Sequence, residues 1–439
     1  METTPKNGSS VYKKDKEERV NLDVIGSTGL KRSGGLINEE WLPQLKGTTA
    51  VNIFRQMRDN DPIIGAFMFS VESLIRQVRF YAQPANKSLD AIKEAEFLES
   101  CMGDMNHTFS DLLSEVMSML IYGWSYFELV YKIRKGPNQK DSKYRSRYSD
   151  GRIGWRKIST RAQDTLERWE IDEGGGIKGL WQVSPPTYSL VYVPIEKAIL
   201  FRTQTNKNNP EGRSVLRNAF RPWYFKKKLE EIEAIGIERD LSGLPVLEVP
   251  PEIMAAGASA ADKTLRTDLE NMVQQIKRDE REGMVIPSEL DQDGKPTGFK
   301  FKLLSSGGRR AVDVDGAIKR YESRMAMSVM AEFLMLGMDK VGSFALASTK
   351  THMFSVALGS IIDSVCQTFN RFAVARLMTL NGVPVENWPT LAHGDIESPE
   401  LKEIANYVVG LTDSGIIVPD ERLELRLREI AGLPMPEDT

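Results

Sequence analysis

The chain has 439 residues, with 58 Lys and Arg against 61 Asp and Glu, for a formal net charge of −3. That balance excludes a protein that grips nucleic acid through bulk phosphate neutralisation, which needs a surplus of basic side chains. Apolar (41%) and charged (27%) fractions are those of a soluble globular chain, the length fits about three domains, and two cysteines, Cys101 and Cys366, exclude a disulfide framework or thiolate cluster and fit a reducing compartment. No stretch reaches the roughly 18 uninterrupted apolar residues of a spanning helix, and the N-terminus lacks a signal-peptide core, so no membrane partner is expected.

Residues 1–49 begin with a segment rich in Lys, Glu, Gly, Ser and Asn and poor in large apolar groups, which reads as a mobile arm. In "NDPIIGAFMFSVESLIRQVRFYAQPA" the pattern turns globular. Asp61 is placed to cap a helix with Pro62 at its first position, and Ile64, Phe67, Val71, Leu74, Ile75 and Val78 recur at helical spacing. Two further helices fit at about 89–101 and 110–122, the second opened by Ser110. Between Trp124 and Arg202 the period changes: "WSYFELVYKI", "RIGWRKI", "TLERWEID", "GLWQV", "YSLVYV" and "AILFRT" are short, aromatic and β-branched, and turn signals separate them. They predict an antiparallel meander or small sandwich. Within it, "KIRKGPNQKDSKYRSRYSDGR" (132–152) holds eight basic residues against Asp141 and Asp150; it is either a solvated hairpin tip or a loop that contacts DNA or a partner.

A long helix is predicted from Ser214 to Asp240, about 40 Å at 1.5 Å per residue, kinked or restarted at Pro222. Leu216, Phe220, Trp223, Leu229, Ile232 and Ile235 lie near one face. A compact α/β insert follows, with strands at "LPVLEVP", "GMVIPSE" and "FKFKLLSS" and a charged helix near 262–282. A second long helix is predicted from Val312 to Leu336, about 37 Å, with Val314, Ile318, Tyr321, Met325, Val329 and Phe333 on its apolar stripe. Two helices of similar length flanking a small insert fit a side-by-side pair that carries the insert at its far end. After them comes "LMLGMDKVGSFALASTKTHMF" (334–354), where two glycines in six residues break the helical pattern, each costing about 1 kcal/mol against Ala in a helix. A third long helix, Ser348 to Leu380, follows. Beyond "NGVPVENWP" two shorter helices fit at about 399–411 and 420–431.

The chemistry of an enzyme is missing. The three histidines, His107, His352 and His393, lack metal-ligand spacing and read as surface or packed side chains. No nucleophile elbow, P-loop or dinucleotide fingerprint occurs, and the glycines of "DEGGGIKG" and "SSGGRR" fit turns. No residue is nominated as catalytic, and no metal or cofactor is expected.

Five phrases carry a family resemblance: "DNDPIIGAFMFSVESLIRQVRFYAQP", "LIYGWSYFELVYK", "VPIEKAILFRTQTNKNNPEGRSVLRNAFRPWYFKK", "IEAIGIERDLSGLPVLEVP" and "GIIVPDERLELRLREIAGLPMPED". In this order they resemble tailed-bacteriophage portal proteins, with the Mu-like portals the closest subgroup, over residues 50–435. The resemblance implies an α+β portal-type fold. Its parts would be a wing of helices and β-meander at 50–212, stem helices at 213–240 and 312–336, a small α/β clip at 241–311, a tunnel loop at 337–348, a wing helix at 349–380 and a helical crown at 381–439. It implies a homo-oligomeric ring, usually of twelve subunits, at one capsid vertex in the virion, assembled in the bacterial cytoplasm. Double-stranded DNA would pass through the ring, which would meet the terminase large subunit, the major capsid or scaffold protein and a head–tail adaptor. Gly337, Asp339, Lys340, Val341, Gly342 and Phe344 would then line the channel: the glycines for backbone freedom, Val341 and Phe344 as apolar cover, Lys340 as one phosphate contact per subunit, moderated by Asp339. Lys319, Arg320 and Arg324 would either face the channel or form a solvated or intersubunit salt-bridged face. Without the resemblance, residues 337–348 are an ordinary loop between core helices. A capsid-associated adaptor without a channel is the alternative function, and the long helix–insert–helix stalk speaks against it.

Overall fold

The computed structural model describes residues 26–242, 244–275, 284–288, 293–294, 298–304, 313–331, 344–396, 401–420, 423–424 and 427–428. Part of the expected arm is built into the fold. Residues 26–46 carry a short hairpin, β1 (Arg32–Ser33) and β2 (Leu36–Ile37), and a 3-10 turn at Pro43–Leu45. Glu39 pairs with Lys207 at 3.0 Å and Glu40 with Arg217 at 2.5 Å. Those partners lie more than 160 residues away, so composition near residue 40 could not announce them.

Helix α1 (Gly47–Asn60) buries Ala50, Val51, Phe54 and Met57, a helical spacing at the start of the 50–212 segment that was not singled out as a helix in the sequence. Asp61 then opens α2 (Pro62–Gln77) as read, its carboxylate accepting the Ile63 and Ile64 amides at 3.0 and 3.2 Å, while Pro62 fills a position whose N–H would have no helical partner. After β3 (Phe80–Gln83) come α3 (Leu89–Gly103), α4 (Phe109–Val116) and α5 (Ser118–Tyr122). The single helix expected at 110–122 is two, and Thr108, not Ser110, caps the first by accepting the Asp111 amide.

All six expected strands form: β4 (Trp124–Ile133), β5 (Ile153–Arg161), β6 (Leu166–Ile171), β7 (Ile177–Val183), β8 (Leu190–Pro194) and β9 (Ala198–Arg202). They make two antiparallel three-stranded sheets, ordered β5-β4-β9 and β6-β7-β8. Alternation along β4 explains how it serves two cores. Phe127 and Leu129 face the main core with α1–α5, whereas Trp124 and Tyr126 face the second sheet, where Trp124 meets Trp169 edge-on at 4.9 Å. Gly123, between α5 and β4, has φ +93 and the Glu211 carbonyl 2.3 Å from where a Cβ would sit, so only glycine fits.

The chain continues as α6 (Phe220–Ser242), β10 (Leu244–Val249), α7 (Pro251–Met254), α8 (Ala260–Gln275), β11 (Met284–Pro287) and β12 (Lys300–Leu304), then returns as α9 (Val314–Ser328). The insert is a sheet of order β11-β10-β12, with β10 parallel to β11 and antiparallel to β12. The parallel pair needs the helical crossover that α7 and α8 supply. Its buried apolar group is small: Leu247, Val249 and Val273. Last come α10 (Phe344–Phe369), a π-helical turn at Asn370–Val374, α11 (Ala375–Leu380), β13 (Thr390–His393) and α12 (Leu401–Asp413). β13 pairs antiparallel with β3, and the Asn370 amide both donates to Leu391 O and accepts Leu391 N. Residues 381–396, expected in the crown, therefore close onto the N-terminal helices. Most of the short helix expected at 420–431 lies outside the described residues. Among the described residues no helix is long and apolar enough to cross a membrane.

Candidate functional site

The helix–insert–helix segment begins at Ser214, whose hydroxyl accepts the Leu216 amide at 3.0 Å and starts a 3-10 turn that leads into α6. Pro222 falls in the first turn of α6, where an amide has no i−4 partner to lose, so of the two expected outcomes the helix restarts there, after the 3-10 turn at Val215–Arg217, rather than kinking. α6 has 23 residues and α9 has 15, about 34 and 22 Å. The two are therefore less equal than their sequence patterns suggest. α9 ends early because Met330 takes the left-handed conformation (φ 58), with Ala331 N bonded to Ala326 O at 2.8 Å and Met330 N to Met327 O at 3.3 Å. This is a Schellman termination with Met at the position that glycine usually holds, so no glycine marks the end of the helix.

The two helices do lie side by side, as the helix–insert–helix pattern predicts. Phe225 stacks on Tyr321 with centroids 6.0 Å apart. One residue on along each helix is a buried charge junction. Lys226 Nζ lies 3.1 Å from Asp61 Oδ2, 3.1 Å from Glu322 Oε1 and 3.6 Å from Glu230 Oε1, and the Lys226 and Asp61 side chains are each only 3% exposed. Burial works to lower the Lys226 pKa, but Asp61 and Glu322 outweigh it and hold the ammonium above its ordinary range. Asp61 thus does two things at once: one oxygen caps α2 and the other anchors α6. Sequence reading missed this junction. The available signal was a lysine between Trp223 and Leu229 on the apolar stripe of α6.

Beyond Lys226 the helix pair loses its cover. Ile232, Ile235 and Ile237 on α6 are 61%, 44% and 44% exposed. On α9, Lys319, Arg320, Ser323, Arg324 and Met327 form one exposed face. Lys319 pairs with Asp315 at 2.8 Å in a surface contact of little energetic weight. Arg320 and Arg324 both lie over the Tyr321 ring, at 5.7 and 5.8 Å. The structure thus brings together the three stem cations singled out from the sequence. Of the loop residues, Gly337, Asp339, Lys340, Val341 and Gly342 lie outside the described residues. Phe344 is the first residue of α10, which starts four residues before the expected Ser348.

Just before the start of α6, Glu211 sits under the second sheet and accepts the Trp169 indole N–H at 3.2 Å. Burial pushes its carboxyl up to about 7, only partly offset by that hydrogen bond. Among the described residues, no group of three or more His, Cys, Asp or Glu could hold a metal ion. His107 is partly buried and burial lowers its pKa, while His393 Nε2 lies 3.0 Å from Asp363.

A family model described as the portal protein of Mu bacteriophage matches residues 51–429. Among solved structures, the fold is similar to a chain of the virion of a native gene transfer agent particle (TM-score 0.51, 11% identity, covering 88% of this chain and 93% of that one). It is also similar to a chain of the neck of the native gene transfer agent particle computed with C12 symmetry (TM-score 0.50, 11% identity, 87% and 94%). A HK97-family phage portal protein from Corynebacterium diphtheriae matches at TM-score 0.40 and 11% identity over 76% of this chain.

Proposed function

We propose how a portal is built from this chain, which belongs to the portal protein family of Mu bacteriophage. As a portal protein it is a structural, head–tail connecting component. In our reading about twelve copies form a ring at one capsid vertex. The wing would abut the capsid or scaffold protein, and α6 and α9 would form the channel wall. The β10–β12 insert would act as the clip that docks first the terminase large subunit and later a head–tail adaptor. Double-stranded DNA would pass through the ring during packaging and ejection, guided weakly by residues 337–348. The twelvefold number is borrowed from the symmetry of the gene transfer agent neck. The same reading places the protein in the virion after assembly in the bacterial cytoplasm.

One observation supports this reading above the others. The distal half of α6 carries exposed isoleucines on a helix that already has one partner, α9. An uncovered apolar flank on a paired stalk is what neighbouring copies in a ring would bury, at roughly 25 cal/mol per Å² of apolar surface. The test is mass measurement and negative-stain imaging of the purified protein, with an Ile232→Ser/Ile235→Ser variant beside it. Rings with a central hole that weaken or dissociate in the variant are expected. Only monomers or dimers at micromolar concentration would refute the proposal.

A further inference from the structure

The basic segment at 132–152 is neither a simple solvated tip nor part of the stem. Three of its eight bases are built into the wing. Lys132 is buried against Asp104 at 2.9 Å. Arg134 is 2% exposed, pairs with Asp150 and lies between the rings of Phe97 and Tyr148. Arg152 pairs with Glu94 and also lies over the Phe97 ring, at 3.4 Å. Asp104 also accepts the Ser146 hydroxyl and the Arg147 amide, and Gly136 bonds across the loop to Tyr148 O and from Ser146 N. The loop is therefore a fixed platform.

The other five, Lys135, Lys140, Lys143, Arg145 and Arg147, are exposed on it. Among the described residues no carboxylate pairs with Lys140, Lys143, Arg145 or Arg147. The one exposed acid not already engaged by an arginine is Asp141, whose carboxylate accepts the Lys143 amide. A slightly acidic chain thus displays a local surplus of four positive charges. The residues between are mostly small and polar (Asn138, Gln139, Ser142, Ser149); the exposed apolar groups are few, Ile133, Pro137 and Tyr148, and Arg134 lies over the Tyr148 ring. Protein interfaces favour aromatic anchors and avoid Lys, whereas phosphate contacts use Lys, Arg, Ser, Asn and Gln and need no apolar centre. The platform also lies at the far end of β4 from the stem. Ten residues separate it from Trp124, which is paired with Arg202 close to the start of the stem, so about 30 Å of strand intervenes.

We propose that this wing platform is a second, non-channel site for duplex DNA, bound through its phosphates without sequence preference. The proposal rests on the portal reading only for where such DNA would come from, namely the genome outside the stem. The probe is a nicked circular duplex, which has no end to thread through a ring, so its binding reports outer surfaces alone. Five phosphate contacts give a log–log salt slope of about −4.5, or about 500-fold weaker binding between 50 and 200 mM salt. Lys140→Gln/Lys143→Gln/Arg147→Gln should flatten the slope to about −1.8, or about 12-fold. Lys140→Arg/Lys143→Arg/Arg147→Lys should keep the steep slope. Unchanged melting curves would show that the variants fold. A circle that does not bind, or that binds the Gln variant as well as the parent, overturns the proposal. So does a polyglutamate chain that binds more tightly than DNA at equal charge, since that would make an acidic protein the partner. Negative-stain images of the same samples keep the two readings apart: absent rings count against the portal assembly, and rings that ignore the circle count against the platform.

Discussion

Lys226→Met tests whether the buried junction ties α6 and α9 to the start of α2. Methionine keeps the length and apolar stem of lysine but leaves Asp61, 3% exposed, facing an uncharged neighbour. Glu322 is 23% exposed and can turn to water, so the cost falls mainly on Asp61. Removing one member of a buried pair costs about 3–5 kcal/mol. Asp61 keeps two amide hydrogen bonds at the α2 N-terminus, which places the expected loss near the lower end, about 3 kcal/mol. The assay is urea unfolding followed by circular dichroism at fixed subunit concentration, since assembly shifts apparent stability. Because its partners raise the Lys226 pKa, its contribution is complete below the ordinary value of 10.5 and fades only as pH rises through the folded value. A measurement at pH 7 therefore captures all of it. Adding Asp61→Asn removes the orphaned charge while keeping a good capping residue, and should restore about 1–3 kcal/mol. A Lys226→Met loss below about 0.5 kcal/mol, the range of ordinary surface changes, would refute the reasoning.

Three further outcomes follow from other parts of the chain. Glu211 has a raised folded pKa, so the stability it contributes is full below its ordinary value of 4.5 and is lost as pH climbs to about 7. Glu211→Gln should leave stability unchanged near pH 4.5 and raise it by up to about 3 kcal/mol at pH 8, read from melting curves at the two pH values. Deleting residues 244–304 should abolish docking of the packaging motor while the wing still folds, as its main core owes nothing to Leu247, Val249 or Val273; packaging by the truncated ring would show the clip assignment to be wrong. Lys340→Ala should lower the salt sensitivity of DNA retention with rings intact, and removing Val341 to Phe344 should impair retention more. A deletion that blocks ring formation would make the loop a core connector instead.

Elements whose information is local were legible. The β4–β9 strands announce themselves by alternation and turn residues, and Asp61-Pro62 marks the α2 start with no tertiary help. What escaped the sequence depends on distant partners. Residues 26–46 look like an arm until Lys207 and Arg217 arrive to pair with Glu39 and Glu40. β13 is four residues long and becomes a strand because β3 and the Asn370 amide are there to bond it. The end of α9 was unreadable for a different reason. Val329 and Ala331 are buried, so the apolar pattern continues across a turn that the backbone has already made, and Met330 bears the left-handed conformation without a glycine to signal it.

The candidate sites divide along the same line. A cation count could locate the basic segment but not decide its fate, because burial is a tertiary fact: Lys132 and Arg134 became ties to Asp104 and Asp150, while Lys140, Lys143 and Arg147 stayed free to meet a ligand. The stem shows the converse. Its apolar stripe was read correctly as a face, yet one subunit buries it only as far as Lys226, leaving Ile232 and Ile235 in water. A helix selected only for the fold of a single subunit would carry polar residues there. Apolar residues stand on both sides of the charge junction, Phe220 and Trp223 buried before it and Ile232 and Ile235 exposed beyond it, as in a sequence that answers to two surroundings: the core at the start of α6 and a neighbouring copy along the rest. That accounts for the weak one-sidedness of a helix which, at 23 residues, is long enough to show a clear pattern.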